Sequence, residues 1–272
     1  MPFQNQIAIV TGGASGIGKA LCEELALRGA TVVVADIQLP GAQSVAVSIT
    51  RLGGRASAAF VDVRQAPDVR MLVDNTVREH GRLDFMFNNA GIGVGGEIRE
   101  LTLEHWRTAV DINLLGVIQG VMAAYPVMLR QGAGHIVNIA SLAGLVPAPG
   151  FGPYAATKAA VVSLTSVLRA EAESHGVRAS VVCPGFVKTA IFENAIGMQV
   201  DKEELISKFG MPLMPAEDAA RVILRGVERN QAVIVFPPSA RMVWRLVRLC
   251  PWLLVPFQRL IRGRLRSVRR LS

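Results

Sequence analysis

The sequence predicts a single α/β domain of the doubly wound type, a parallel β-sheet with helices on both faces. Three observations carry this. Short apolar runs alternate in order with helical stretches, which is the pattern of βαβ units. Those runs are apolar at consecutive positions, as strands covered on both faces are. No internal repeat, low-complexity tract or linker interrupts residues 1–240, and a chain of 272 residues that is 51% apolar can bury one large core.

Ile7 to Val10 is the first apolar run, and Thr11-Gly12-Gly13-Ala14-Ser15-Gly16-Ile17-Gly18 follows at once. It leads into a helical pattern from Lys19 to Leu27, closed by Gly29. Backbone amides at such a helix start can face an anion, and the glycines allow a pyrophosphate to approach closely. The spacing is G-x-x-x-G-x-G rather than the commoner G-x-G-x-x-G, and taken alone it is also an ordinary tight turn. The second run, Thr31 to Ala35, ends in Asp36, about 20 residues past the turn, where doubly wound folds place a carboxylate on the adenosine ribose. A carboxylate there accepts from two ribose hydroxyls and repels a 2′-phosphate. No basic residue follows Asp36, and Ser15 stands where Lys or Arg would serve a phosphate, so NAD is expected and NADP disfavoured. As an isolated residue Asp36 could equally cap a turn.

A helix over Gly41 to Leu52 leads through Gly53-Gly54 to a strand over Ala56 to Val61, then Asp62-Val63. Pro67 opens a helix to Glu79, Gly81 ends it, and Leu83 to Phe87 is the fourth strand. Asn88-Asn89-Ala90-Gly91 comes straight off that strand, at the carboxyl edge of the sheet where ligands sit in such folds. Thr102 can N-cap one long helix through Trp106, Ala109, Asn113 and Val117 toward Leu129. Asn113 is polar among Val110, Ile112, Leu114, Leu115 and Val117, so it needs an internal partner. Strand His135 to Ala140, a helix from about Pro153 to His175 and strand Val177 to Cys183 follow, and Pro184-Gly185 breaks the order sharply. Residues 186–215 lack a clear period; Phe192, Ile196, Met198, Met211 and Met214 suit an adaptable lid or an irregular crossover. Ala216 to Arg229 reads as the last helix and Ala232 to Phe236 as the last strand.

Within this frame the stretch Ser141 to Lys158 carries the chemistry. Tyr154 and Lys158 are four apart, so on a helix they share one face. An ammonium held near a phenol favours the phenolate and lowers its pKa toward that of a general base. Ser141 lies at the end of a strand, on a loop that can fold its hydroxyl toward the tyrosine. A lone Y-x-x-x-K pair is also found on any amphipathic helix with a surface lysine.

TGGASGIG, NNAG, Asn113, Ser141, Tyr154-x-x-x-Lys158 and Pro184-Gly185, in this order and spacing, resemble the classical short-chain dehydrogenases/reductases, from Gln4 to about Pro237. The resemblance implies a Rossmann-like fold and a Ser-Tyr-Lys-Asn site: Tyr154 as acid/base, Lys158 beside it and on the ribose, Ser141 on the substrate oxygen, Asn113 holding a relay water. It implies that Gly12, Ser15, Ile17 and Gly18 line the cofactor, Asp62 and Val63 flank adenine, and Asn89, Ala90 and Gly91 support the nicotinamide ribose. Pro184, Gly185, Val187 and Thr189 are further cofactor contacts on the same ground, and a homodimer or homotetramer is expected.

The substrate segments Ile92 and Val94, Leu145 to Phe151, Phe186 and Val187, and Ile191 and Phe192 hold few charges beyond Lys188 and Glu193. A lipophilic secondary alcohol or ketone of steroid, retinoid or fatty acyl type is expected, in the manner of steroid and retinol dehydrogenases. Two alternatives stay open: an NADP-dependent ketoacyl reductase and a non-catalytic dinucleotide-binding sensor or scaffold. Cys22, Cys183 and Cys250 are widely spaced, so neither a disulfide framework nor a metal site is expected; with no signal-peptide pattern, the expected compartment is the cytoplasm.

Net charge is +8, but residues 1–240 carry 20 Lys/Arg against 21 Asp/Glu, whereas residues 241–272 carry nine arginines and no acid. The catalytic domain is therefore expected over 1–240, with a basic, hydrophobic tail over 241–272, and nucleic acid is not the expected partner. The longest uncharged run in the tail, Leu249 to Gln258, is half the ~20 residues that span a bilayer. An interfacial amphipathic segment on anionic lipid fits its composition. A C-terminal arm that closes the pocket or packs on a partner subunit fits it as well, since Pro251 and Pro256 should interrupt a continuous helix.

Overall fold

Seven strands, β1 (Ile7–Thr11), β2 (Thr31–Asp36), β3 (Arg55–Phe60), β4 (Phe85–Asn88), β5 (Gly134–Ile139), β6 (Val177–Pro184) and β7 (Val233–Phe236), form one sheet in the computed structural model. That structure describes residues 3–189, 191, 195–197 and 213–267. The strand order is β3-β2-β1-β4-β5-β6-β7 with every pairing parallel. The order reverses between β1 and β4, and at such a switch point the carboxyl ends of the strands open a crevice.

The consecutive apolar residues are divided between the two faces by the period of two. Ala8 and Val10 of β1 and Val32 and Val34 of β2 enter one core, Ile9, Val33 and Ala35 the other. Helices α1 (Gly16–Leu27), α2 (Leu39–Arg51) and α7 (Ala216–Glu228) cover the first face through Leu21, Leu25, Val45, Ile49, Ile223 and Leu224. Helices α3 (Ala66–His80), α5 (Gly116–Gln131) and α6 (Gly152–Ala172) cover the second through Leu72, Val73, Val117, Val121, Val161 and Leu168.

Two departures from the sequence expectation matter for the site. The helix expected from Thr102 to Leu129 is three pieces: α4 (Leu103–Val110), a π-helical turn over Asp111–Leu115, and α5. Thr102 does cap α4, accepting from the His105 backbone N–H. The π turn shifts the hydrogen-bond ladder by one residue and carries Asn113 to full burial, and nothing in the apolar spacing marks it. The run Leu103–Gln131 is long and apolar enough to cross a bilayer by composition, yet Val117, Val121, Ala124 and Met128 are buried on the sheet.

The second departure is at the C-terminal end, where Ala216–Glu228 is not the last helix. Helix α8 (Pro238–Leu249) leaves β7 directly, and α9 (Leu254–Ser267) follows a short turn at Pro251. Pro251 does interrupt the path, but Pro256 lies in the first turn of α9, where a missing N–H breaks no helical bond. Ala240 and Ile261 are buried, and Gln258 Nε2 donates to Pro147 O at 3.0 Å, which lays α9 over the loop between Ser141 and Tyr154.

Candidate active site

The turn after β1 is held open from beneath. Asn89 Nδ2 donates to Thr11 O at 2.9 Å and Gly12 O at 3.1 Å, while Thr11 Oγ1 accepts from the N–H groups of Asn89 and Ala90. Gly12 has φ +65°, and a Cβ there would lie 2.9 Å from Ala90 Cα; one on Gly18 would collide with Gly12 O. The glycines thus bring strand end, turn and helix start closer than any side chain permits. Helix α1 begins with no acidic residue in its first turn and no side-chain bond from Ser15 to its free N–H groups. Its amide donors face the cleft, a donor set suited to the pyrophosphate of a dinucleotide.

Asp36, at the end of β2, is 9% exposed; Oδ1 accepts from Gln38 N–H at 2.8 Å and Oδ2 from Ala14 N–H at 3.0 Å. A carboxylate has about four lone-pair sites, so acceptor capacity remains for ribose hydroxyls. Asp36 therefore caps a turn and also faces the cleft. Arg64, which the sequence reading passed over, lines the same end and grips Asp62 with Nε and Nη2 at 2.6–3.0 Å. That pairing, through its hydrogen bonds, holds the Asp62 carboxyl below the usual carboxylate range. D-x-R is an ordinary surface pattern and offered no signal.

At the other end Ser141, Tyr154 and Lys158 converge. Ser141 ends the path from β5, and its Oγ accepts from Ala143 N–H at 3.2 Å, which orients the hydroxyl while it bonds with Tyr154. Tyr154 sits in the first turn of α6 and Lys158 one turn on. Lys158 Nζ lies 5.8 Å from the centroid of the Tyr154 ring and donates to Ile139 O at 2.9 Å, tying α6 to β5. Burial pulls the Lys158 ammonium down to about 8.

This corrects the expected lysine-lowered phenol. Burial raises the Tyr154 pKa above its ordinary value, and the Ser141 hydrogen bond only partly offsets it. The ammonium that the spacing paired with the phenol points instead to a strand carbonyl. Asn113 has the internal partner its setting required: Oδ1 accepts from Ile92 N–H at 2.8 Å and Nδ2 donates to Ile92 O at 3.0 Å. The amide thereby fixes the chain just beyond Gly91.

One cleft of about 480 Å³ joins the two ends. Gly12, Ser15, Ile17, Gly18, Asp36, Asp62, Val63, Asn89, Ala90, Gly91, Ser141, Tyr154, Lys158, Pro184, Gly185, Val187 and Thr189 all line it. Asn113 stands behind its wall, whereas its neighbour Ile112 lines it. Of the expected substrate segments, Ile92, Val187 and Ile191 line the cleft, but Val94 is buried and pairs with Ile196. Among the described residues Leu145 to Phe151 does not face the cleft: Val146 is core, Leu145 packs on the second core, and Phe151 bridges Gly96. Met214 pairs with Val187. Phe192, Glu193, Met198 and Met211 lie outside the described residues.

An anion-facing helix start and a ribose-side carboxylate, opening on one cleft with a buried Ser-Tyr-Lys cluster, define a nicotinamide-dinucleotide oxidoreductase acting on an alcohol or ketone. The family profile described as short chain dehydrogenase matches residues 6–199, and the chain belongs to that family. It is 37% identical over 222 residues to a cyclohexanol dehydrogenase of Acinetobacter sp. (strain SE19), covering 81% of this chain and 87% of that one. It is 36% identical over 208 residues to a 3-oxoacyl-[acyl-carrier-protein] reductase of Synechocystis sp., covering 76% and 84%. A solved short chain dehydrogenase/reductase from Burkholderia phymatum, in complex with NAD, superposes with a TM-score of 0.83 at 31% identity, covering 93% of this chain and 96% of that one.

Proposed function

We propose that the protein is an NAD-dependent dehydrogenase that interconverts a lipophilic secondary alcohol and its ketone. The observation that carries this is the convergence of Ser141, Tyr154 and buried Lys158 on one cleft, whose remaining lining includes Ile92, Ile112, Val187 and Ile191. When bound, the nicotinamide supplies the acceptor for a hydride from the carbinol carbon. The backbone of Gly12 and the N–H groups at the start of α1 would hold its pyrophosphate, and Asp36 its adenosine ribose.

Tyr154 Oη exchanges the proton with the substrate oxygen. Its raised pKa keeps it a phenol at neutral pH, so it carries the proton that ketone reduction needs, while alcohol oxidation needs the site to lose a proton and should accelerate as pH rises. Ser141 Oγ donates to the substrate oxygen as charge develops there. Lys158, at about 8, is the group closest to neutral pH and can take up or release the proton that Tyr154 exchanges. Asn113 uses its amide to clamp Ile92, so a relay water would be held by its remaining acceptor capacity or by backbone that the π turn frees.

Two features support NAD: the Asp36 carboxylate, and the engagement of Arg64 by Asp62, which leaves that guanidinium committed to a carboxylate rather than to a 2′-phosphate. A second reading, an NADP-dependent ketoacyl reductase, is favoured by the similarity to the Synechocystis reductase. The relationship to a cyclohexanol dehydrogenase favours a cyclic or otherwise lipophilic alcohol, of which steroids and retinoids are larger examples. A homodimer or homotetramer and a cytoplasmic setting complete the reading; the three cysteines are free thiols, as a reducing compartment keeps them.

The test is turnover of a panel of cyclic alcohols, sterols, acyl derivatives and small polyols with NAD and with NADP, in wild type and Tyr154→Phe. Wild type should oxidise lipophilic secondary alcohols with NAD, and the variant should lose roughly a thousandfold in kcat while its NADH affinity, read by fluorescence, stays within about threefold. Undiminished turnover in Tyr154→Phe, or wild-type turnover confined to polyols, defeats the reading.

A further inference from the structure

The C-terminal helices present a surface that the catalytic reading does not use. On α8, Met242, Leu246 and Leu249 recur at i, i+4 and i+7 and are all exposed, and Arg245 and Arg248 form an exposed stripe beside them. The turn into α9 adds Trp252 at 70% exposure, and on α9 Val255 and Leu260 are exposed on either side of Arg259, with Arg262 exposed beside Val255. Residues 241–272 hold no acidic residue, and among the described residues Arg245, Arg259 and Arg262 form no ion pair. Contiguous exposed apolar side chains rimmed by cations mark an interaction site.

We propose that α8 and α9 dock on an anionic lipid surface, with the apolar stripe entering the acyl boundary and the arginines reaching back to the headgroups. Arginine's long stem and always-charged head allow both contacts at once. Charge argues for this occupant over a second copy: two such faces would bring arginine against arginine with no acid in either segment. The break at Cys250–Leu253 does not prevent docking, because Trp252 stands exposed in the turn and adds an apolar anchor next to the α8 stripe.

The face is tied mechanically to the site. Ile261 is buried, Gln258 Nε2 holds Pro147 O, and Leu265 covers Gly150, whose carbonyl accepts from Gly96 N–H at 2.9 Å. Docking would therefore hold the loop between Ser141 and Tyr154 just beneath α9, close to a lipid surface where a lipophilic substrate concentrates. This delivery clause rests on the proposed function; the docking does not.

The experiment is co-sedimentation of the full chain with phosphatidylcholine vesicles, with and without one-third phosphatidylglycerol, at low and high salt, with Trp fluorescence recorded in parallel. Wild type should bind the anionic vesicles, weaken with salt, and show a blue shift that Trp252→Phe diminishes. Leu249→Glu/Trp252→Glu and Arg245→Glu/Arg248→Glu should each bind roughly tenfold more weakly or worse, with circular dichroism and NADH affinity unchanged. Absence of wild-type binding, equal binding to neutral vesicles, or unaltered binding by both double variants overturns the proposal. So does a dimer that buries Trp252 and leaves vesicles unbound. None of these readouts needs turnover, so failure of the catalytic reading and failure of docking are separate results.

Discussion

Replacing Lys158 by methionine separates what the buried ammonium costs the fold from what it does in the site. Nζ is enclosed, donates to Ile139 O at 2.9 Å, and is pulled by burial from 10.5 to about 8. The unfolded chain has an ordinary lysine, so at pH 7 folding must bury a cation that holds its proton less tightly. At about 1.4 kcal/mol per pH unit, that gap destabilises the native state by roughly 3 kcal/mol. Methionine keeps an unbranched chain of similar length but loses a charge-assisted hydrogen bond worth about 1.5–3 kcal/mol. Lys158→Met should therefore be no less stable than wild type at pH 7 and up to about 1.5 kcal/mol more stable, while alcohol turnover falls by roughly 10²–10⁴. Because the folded pKa lies below the unfolded one, wild-type stability rises between pH 8 and pH 10.5 as the native state releases its proton first, and the variant lacks that rise. Urea unfolding at pH 7 and pH 10 measures both. A variant less stable than wild type at pH 7, or an advantage that does not shrink by pH 10, refutes the reasoning.

Gly120→Ala should destabilise the protein by about 1–3 kcal/mol or more in urea melts, because a Cβ there would run into Asn88 Oδ1 and disturb the buried bonds from Asn88 to Asn138 (2.8 Å) and from Asn138 to Thr165 (2.9 Å); wild-type stability would show that this chain yields freely. Acid lability should reflect His135, which is buried and held neutral down to about 3: Ser180 Oγ donates to Gln231 O, so the ring Nε2 donates to Ser180. The unfolded histidine protonates near 6.5, so native stability is lost as pH falls below that value, by about 2 kcal/mol between pH 7 and pH 5. His135→Gln should remove that part of the pH dependence, and an identical slope in the variant would assign the acid sensitivity to other groups.

The strands, the glycine turn, Asp36 and the asparagine turn after the fourth strand were legible because each rests on short-range signals: continuous apolar runs, a glycine cluster before a helix, polar residues directly after a strand; Asp62, Val63, Pro184, Gly185, Val187 and Thr189 were reached only through the resemblance to the short-chain dehydrogenases. Such signals are written within about ten residues of chain and survive whatever packs on them. The substrate wall was misplaced for the opposite reason. Leu145 to Phe151 is apolar whether it faces a ligand or the core, and only packing distinguishes the two; Val146 went to the core.

By itself, then, the sequence determined the parallel sheet, the dinucleotide turn, Asp36 at its edge and the meeting of serine, tyrosine and lysine at one helix start. The tertiary structure alone decided the states of those groups and the place of the tail. Lys158 points to a carbonyl 19 residues away, Asn113 clamps a backbone 21 residues away, and Gln258 reaches a loop 111 residues away. Protonation follows burial and partners, and docking of the tail follows surface complementarity; neither is a property of neighbouring residues in the chain.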